Sequence, residues 1–230
     1  MVEILEDVVL EIAPKEVLRY LGCRSEHVPP PLVLEMAERE ILCAADLIAP
    51  RAVCGSWAVG AVSDASVTLP AACLALRGKT IAAHLRQSVR VTLFAVTIGL
   101  ALETAVQNMF TAGEYSRAVV LDAVGSAAAE AAAETVNRRV SAAAETAGFV
   151  TGSRFSPGYG DWDIGAQAEI LAAVKAERIG ITVNTAAMLL PRKSVTAVVG
   201  WMPVGEDVRP GSGCRECEMA GCAYRMRSLG

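Results

Sequence analysis

Aromatic side chains are scarce in this sequence: 4 Phe, 4 Tyr and 3 Trp make up 5% of 230 residues, although hydrophobic residues reach 53%. A core with so few rings must be built from Ala, Val, Leu and Ile, and small side chains imply close helix contacts. Basic residues are not in excess. Lys and Arg total 21 against 25 Asp and Glu, for a formal charge of -4 and a pI near 5.3. Without clustered Lys and Arg to neutralise phosphates, a nucleic-acid partner is excluded on electrostatic grounds. Long apolar runs are also missing. The longest uncharged apolar run, Val91 to Leu102, falls well short of the ~20 residues that a spanning helix needs, and the next apolar region is cut by "PRK" at Pro191 to Lys193. No membrane partner is expected. The opening "MVEILEDVVL" is acidic where a secretory signal would be basic, so a cytoplasmic location is expected. The two histidines, His27 and His84, stand apart from any Ser, Cys or Asp arrangement for nucleophilic catalysis, and no catalytic residue is assigned.

What is present is an alternation of strand-like and helix-like segments. In "VEILEDVVLEIA", Val8, Leu10 and Ile12 alternate as in a short half-buried strand, and "PKEVLRYLG" then starts a helix at proline and ends it at glycine. After "HVPPP", a second helix is expected over about Leu32 to Ile48. "RAVCGSWAV", "ASVTL" and the β-branched "VTLFAVTIG" read as strands, and "RGKTIAAHL" as a turn and helix start. Two helices follow, with a break near Gly113; the second, about Tyr115 to Ala147, is the longest element. A further helix is expected from about Ala166 to Arg178, then strand, loop and strand through "GITVNTAAMLLPRKSVTAVVGW". The fold class expected is α/β, a mixed sheet covered by helices, with one main domain over 1–204 and a Gly- and Cys-rich tail over 205–230.

The stretch "RFSPGYG", Arg154 to Gly160, interrupts this aliphatic pattern. Arg154 can grip a carboxylate in two-point fashion, Ser156 offers a hydroxyl and backbone groups, and Pro157-Gly158 turns the chain so that Tyr159 can lie over a ligand. In the long helix, Glu130 lies among alanines, where a carboxylate needs a cationic or hydrogen-bonding partner. Glu134 and Arg138, at successive four-residue steps, read as a surface pair. An arginine for a carboxylate and a glutamate for an amine describe an amino-acid-like ligand. The same residues also fit a plain Pro-Gly turn beside a solvated helix face.

These residues carry a family likeness. "RFSPGYG" resembles the Arg-x-x-x-Gly-Tyr motif in the activation domain of cobalamin-dependent methionine synthase, a domain that binds S-adenosylmethionine. "AVVLDAVGSAAAEAAAETVNRRV" is similar to that family's helix with its Ala-Glu-x-x-Ala-Glu pattern, and "NTAAMLLPRKSVTAVVGW" to its strand-loop-strand; the likeness is good from about Val119 to Trp201. It implies that Arg154 holds the ligand carboxylate, Glu130 lies at the amino-acid end, Ser156 makes a backbone contact to the adenine, and Gly158 and Tyr159 match the family's Gly-Tyr. The family's next residue is proline, where this chain has Gly160. The likeness further implies a free-standing homologue of the activation domain. Its partner would be a corrinoid protein, a cobalamin-dependent methionine synthase or related methyltransferase. Together with an electron donor, it would support reductive remethylation of the partner's cobalamin.

Seven cysteines in a chain expected to stay reduced favour metal, redox or burial over disulfides. Cys214, Cys217 and Cys222 form a Cys-x2-Cys-x4-Cys set that can hold zinc or an iron-sulfur cluster if a fourth ligand joins them. Cys23, Cys43, Cys54 and His27 are the candidates for that fourth place. A reduced flexible tail or a Cys214–Cys217 redox pair fits the same spacing. "RGKT" resembles the end of a phosphate loop but lacks the upstream glycine and preceding strand. Three functions therefore stand side by side: the remethylation component, a metal- or cluster-bearing redox protein serving a corrinoid protein, and a structural subunit that binds no ligand.

Overall fold

The computed structural model describes residues 2–5, 7–23 and 29–205. Its centre is a five-stranded sheet in the order β1 (Val2–Leu5), β2 (Arg51–Ala58), β5 (Arg90–Thr97), β9 (Ser194–Pro203), β6 (Phe149–Thr151), with every pairing antiparallel. Two hairpins stand apart from it, β3 (Ser66–Leu69) with β4 (Leu74–Arg77), and β7 (Thr182–Val183) with β8 (Leu189–Leu190). The expected α/β class, a sheet covered by helices, is the one observed.

Because strand side chains alternate between faces, β5 serves two cores at once. Phe94 and Val96 join one cluster with helices α1 (Pro14–Tyr20), α2 (Pro31–Ala44), α4 (Ala101–Thr111) and α5 (Tyr115–Thr146). Val91, Leu93 and Ala95 join the other, with the β3–β4 hairpin and helices α3 (Lys79–His84) and α6 (Ala166–Val174). This strand is buried on both faces, which is why its sequence is a continuous apolar run. The 32-residue α5 is the main covering element. Ala128, Ala132 and Ala133 are fully buried along it. Side chains this small let α5 lie close to the sheet, as the low aromatic content implied. One buried carboxylate, Glu40 on α2, is met by Arg117 of α5 at 2.7 Å.

Several boundaries differ from expectation, each for a local reason. The first strand is Val2–Leu5, not the alternating Val8 to Ile12. That later segment lies along α5 instead: the carbonyl of Val9 accepts from Thr135 Oγ1 at 2.9 Å, and the carbonyl of Asp7 accepts from Arg139. Helix α2 ends at Ala44, and Leu47 and Ile48 turn back to hydrogen-bond its carbonyl. Helix α6 ends at Val174 because Lys175 adopts the left-handed conformation, and a short 3-10 turn follows over Ala176–Ile179. The break at Gly113 is present, with φ of +81°.

Candidate functional site

Arg154 reaches the site through a local irregularity at the sheet edge. Strand β6 pairs with β9 so that Thr151 faces Trp201, and the pairing resumes with Phe155 opposite Val198. Between these points the edge chain advances four residues while β9 advances three, so one extra residue is inserted. Such a bulge re-aims a side chain that regular pairing would have placed elsewhere. Here the guanidinium of Arg154 pairs with the carboxylate of Glu130 on α5, and its Nε stands 3.9 Å from Glu134. The arginine is mostly covered, its side chain 17% exposed, and Glu130 is 36% exposed. The two residues singled out for opposite ends of an amino acid are thus brought into contact with each other. Glu134 joins Arg154, not Arg138 as its spacing suggested.

The rest of the motif folds into a tight turn. Gly158 N donates to Trp162 O at 2.8 Å, and Tyr159 N to Ser156 O at 3.2 Å. The Phe155 ring is stacked on buried Trp162 and meets Tyr159 edge-on at 5.6 Å between centroids, leaving more than half of Tyr159 open to solvent. Half-buried Ser156 and exposed Gly158 and Tyr159 therefore form one turn next to Arg154.

Helix α3 clamps this turn from the far side. His84 Nε2 lies 2.8 Å from Ser153 O, and its ring packs 4.8 Å from that of Phe155. At the other end of α3, the backbone N–H groups of Lys79 and Thr80 each donate to the Asp161 carboxylate at 2.8 Å. Those bonds favour the charged form and hold the Asp161 carboxyl down to about 2. The "RGKT" stretch is indeed a turn and helix start, and the anion it receives belongs to its own chain. Gly160, at φ +57°, packs against Thr80 in the same place.

On the other side of Glu130 opens a cleft of about 380 Å³, walled by Tyr20, Asp122, Ser126, Met188 and Lys193 among others. Lys193 Nζ bonds Asp122 at 2.9 Å and Ser126 at 2.8 Å, and Arg192 faces Glu103 at 3.5 Å. Burial, and then the negative Glu130, raise the Tyr20 phenol above its ordinary value. Asp122 and Ser126 share a helix face with Glu130, a spacing visible in the sequence; Tyr20 and Lys193 come from remote segments and left no such signal. A larger groove, about 660 Å³, runs between the β3–β4 hairpin and α6 past Cys73, Arg77 and Glu169, away from the motif.

Among the described residues, no group of three or more His, Cys, Asp or Glu is placed to hold a metal ion, and no helix is long and apolar enough to cross a membrane. Cys214, Cys217 and Cys222, the expected metal ligands, lie outside the described residues, as does His27.

An antiparallel sheet backed by an alanine-rich helix, with a bulge-borne arginine over a helix glutamate, defines an α/β domain whose site is a surface seam between helix and sheet edge. The chain belongs to the family of the vitamin B12 dependent methionine synthase activation domain, whose model matches residues 34–206. Among solved structures it is similar to the MetH reactivation domain bound to AdoHcy. The two share 15% identity and a TM-score of 0.59, over 90% of this chain and 80% of that one, so the fold is shared. No curated protein matches the sequence significantly.

Proposed function

We propose that this protein binds S-adenosylmethionine and supports reductive remethylation of the corrinoid cofactor of a cobalamin-dependent methionine synthase or a related methyltransferase. The observation that carries the reading is the meeting of Arg154 and Glu130 beside an open cleft, in a chain of the activation-domain family. A guanidinium and a carboxylate side by side complement the carboxylate and ammonium of the ligand's amino-acid end. The turn from Ser156 to Tyr159, open to solvent at Gly158 and Tyr159, offers backbone groups and an aromatic face for the nucleoside.

The bound ligand would supply a sulfonium methyl group for transfer to the reduced corrinoid of a partner protein, with the electron coming from a separate donor. This chain's residues orient that ligand and need not form a bond to it. Arg154 and Glu130 fix one end, and the α3 clamp through His84, Thr80 and Asp161 keeps the turn in register. The reading places the protein in the cytoplasm with its corrinoid partner.

Calorimetric titration with S-adenosylmethionine tests the proposal. Saturable binding is expected, weakened about 10- to 100-fold by Arg154→Ala, the loss of a charge-assisted contact of about 1.5–3 kcal/mol. Absence of binding by the wild-type protein would refute the reading, as would an unchanged affinity in the variant.

A further inference from the structure

We infer that Cys73 is the fourth thiolate of a metal site whose other three are Cys214, Cys217 and Cys222, so that the metal fastens the C-terminal tail over the groove between the β3–β4 hairpin and α6. The site is independent of the ligand proposed for the Arg154 seam. A Cys-x2-Cys-x4-Cys segment supplies three ligands, whereas a closed zinc or iron-sulfur site takes four. The sequence pointed to Cys23, Cys43, Cys54 or His27 for the remaining place; the fold favours a different cysteine.

Reach decides among the cysteines. The described chain leaves the sheet after β9, at Pro203, and Cys214 follows Gly205 by nine residues, about 30 Å of extended chain. A continuous run of contacts joins that end of β9 to Cys73. Val89 N donates to Trp201 O at 2.9 Å, Val59 N donates to Val89 O at 3.0 Å, and Gly60, next in the chain, packs on Pro70. Pro70 opens the 3-10 turn that ends at Cys73, whose N–H donates to the Pro70 carbonyl at 3.0 Å. Each step spans about 4–6 Å, so Cys73 lies no more than about 30 Å from Trp201. Cys43 is at the opposite end of the sheet: Ala49 N donates to Ile98 O at 2.9 Å just beyond α2, and β2 then runs its full length, about 25 Å, before Val59 is reached. Cys54 packs into the helix-side core, and Cys23 follows α1 on that same face.

Cys73 also has suitable surroundings. It is exposed, and it lines the groove of about 660 Å³ together with Ala72, Leu74, Arg77, Glu169 and Ala173. The tail offers matching chemistry: Met219 and Ala220 stand between two of its cysteines, with Arg215, Glu216 and Glu218 beside them, so apolar walls and charges of both signs find counterparts. The turn holds Cys73 at φ 49°, which fixes the backbone that carries the thiol. Four protein ligands leave no open position for a substrate, so the site is structural.

The test titrates reduced, metal-free, full-length protein with zinc, then alkylates the cysteines and maps them by mass spectrometry. Zinc should bind and shield Cys73 together with Cys214, Cys217 and Cys222, while exposed Cys43 stays open to alkylation. This readout needs no variant. Cys73→Ser should weaken zinc binding at least about tenfold, no less than loss of an outer-shell partner does. With cobalt(II) in place of zinc, the same variant should lose about a quarter of the thiolate-to-metal absorption, as three thiolates replace four. If zinc does not bind but anaerobic iron with sulfide shields the same four cysteines, the site stands and holds a cluster. Shielding of the tail cysteines alone, shielding of Cys23, Cys43 or Cys54 in place of Cys73, or binding of neither metal overturns the inference. None of these results bears on S-adenosylmethionine binding, which the calorimetric titration decides separately.

Discussion

Replacing Gly200 by alanine probes how tightly the strand that supports Arg154 is packed. Gly200 lies in β9 opposite Val91, and its carbonyl accepts from Gly152 N at 3.0 Å, two residues before Arg154. A Cβ at this position would stand 2.2 Å from Ser88 Oγ, 2.9 Å from Leu85 Cδ2 and 3.3 Å from Ser88 Cβ. Carbon atoms in good contact lie about 3.5–4.0 Å apart, so all three distances are too short. The Ser88 hydroxyl can turn away, but Leu85 is fully buried, and Ser88 N is bonded to its carbonyl at 2.9 Å. Relief must come from Leu85 leaving its rotamer or from a shift of the chain that follows α3. Overpacking of this kind costs about 1–3 kcal/mol, and exchanging glycine for alanine in a strand returns about 0.5–1 kcal/mol.

The net expectation is a loss of about 1–2 kcal/mol, or about 2–8 °C in Tm for a chain of this size. Urea unfolding of four proteins checks it: wild type, Gly200→Ala, Ser88→Ala and the double variant. Among the described residues Ser88 Oγ is buried with no hydrogen-bond partner, so Ser88→Ala should be neutral or stabilising. In the double variant the Gly200→Ala penalty should shrink by at least about 0.5 kcal/mol, because the two sites share one space. A single variant within about 0.3 kcal/mol of wild type, or strict additivity, would refute the packing argument.

Gly160→Pro, which restores the family's Gly-Tyr-Pro, should lower both Tm and S-adenosylmethionine affinity. Proline cannot adopt the φ of +57° found there, and a Cβ would lie 2.6 Å from Thr80 Oγ1; unchanged melting and binding would show that the turn accepts another path. The Asp161 carboxyl, at about 2 in the folded protein against 3.8 ordinarily, should contribute stability that is fully present above about pH 4 and lost as pH falls toward 2. The Tm gap between wild type and Asp161→Asn should close across that window, and a gap independent of pH would contradict the assignment.

The elements legible in the sequence were those whose signals are local and long. Helix α5 announced itself through its alanines and the Gly113 break, and β5 through its β-branched run. Strand β6 is too short, at 3 residues, to show a period of its own. Val8, Leu10 and Ile12 misled because alternating burial against a helix looks the same as alternating burial in a sheet. At the site, Arg154 and Glu130 were both visible as chemistry, yet their contact depends on a bulge defined only by pairing with β9. Thr80 and Asp161 are 81 residues apart, so no motif could have joined them.

Strand β9 is the last strand of the described chain, yet it lies inside the sheet, with β5 on one side and β6 on the other. While the protein is being made, β5 must wait about a hundred residues for its neighbour, with a row of backbone donors and acceptors open along an apolar strand. An exposed edge of this kind invites pairing with other chains. The sheet can close only after β9 has left the ribosome. A nascent chain stalled in the 182–193 region would therefore hold all six described α-helices over a sheet whose β5 edge is still open.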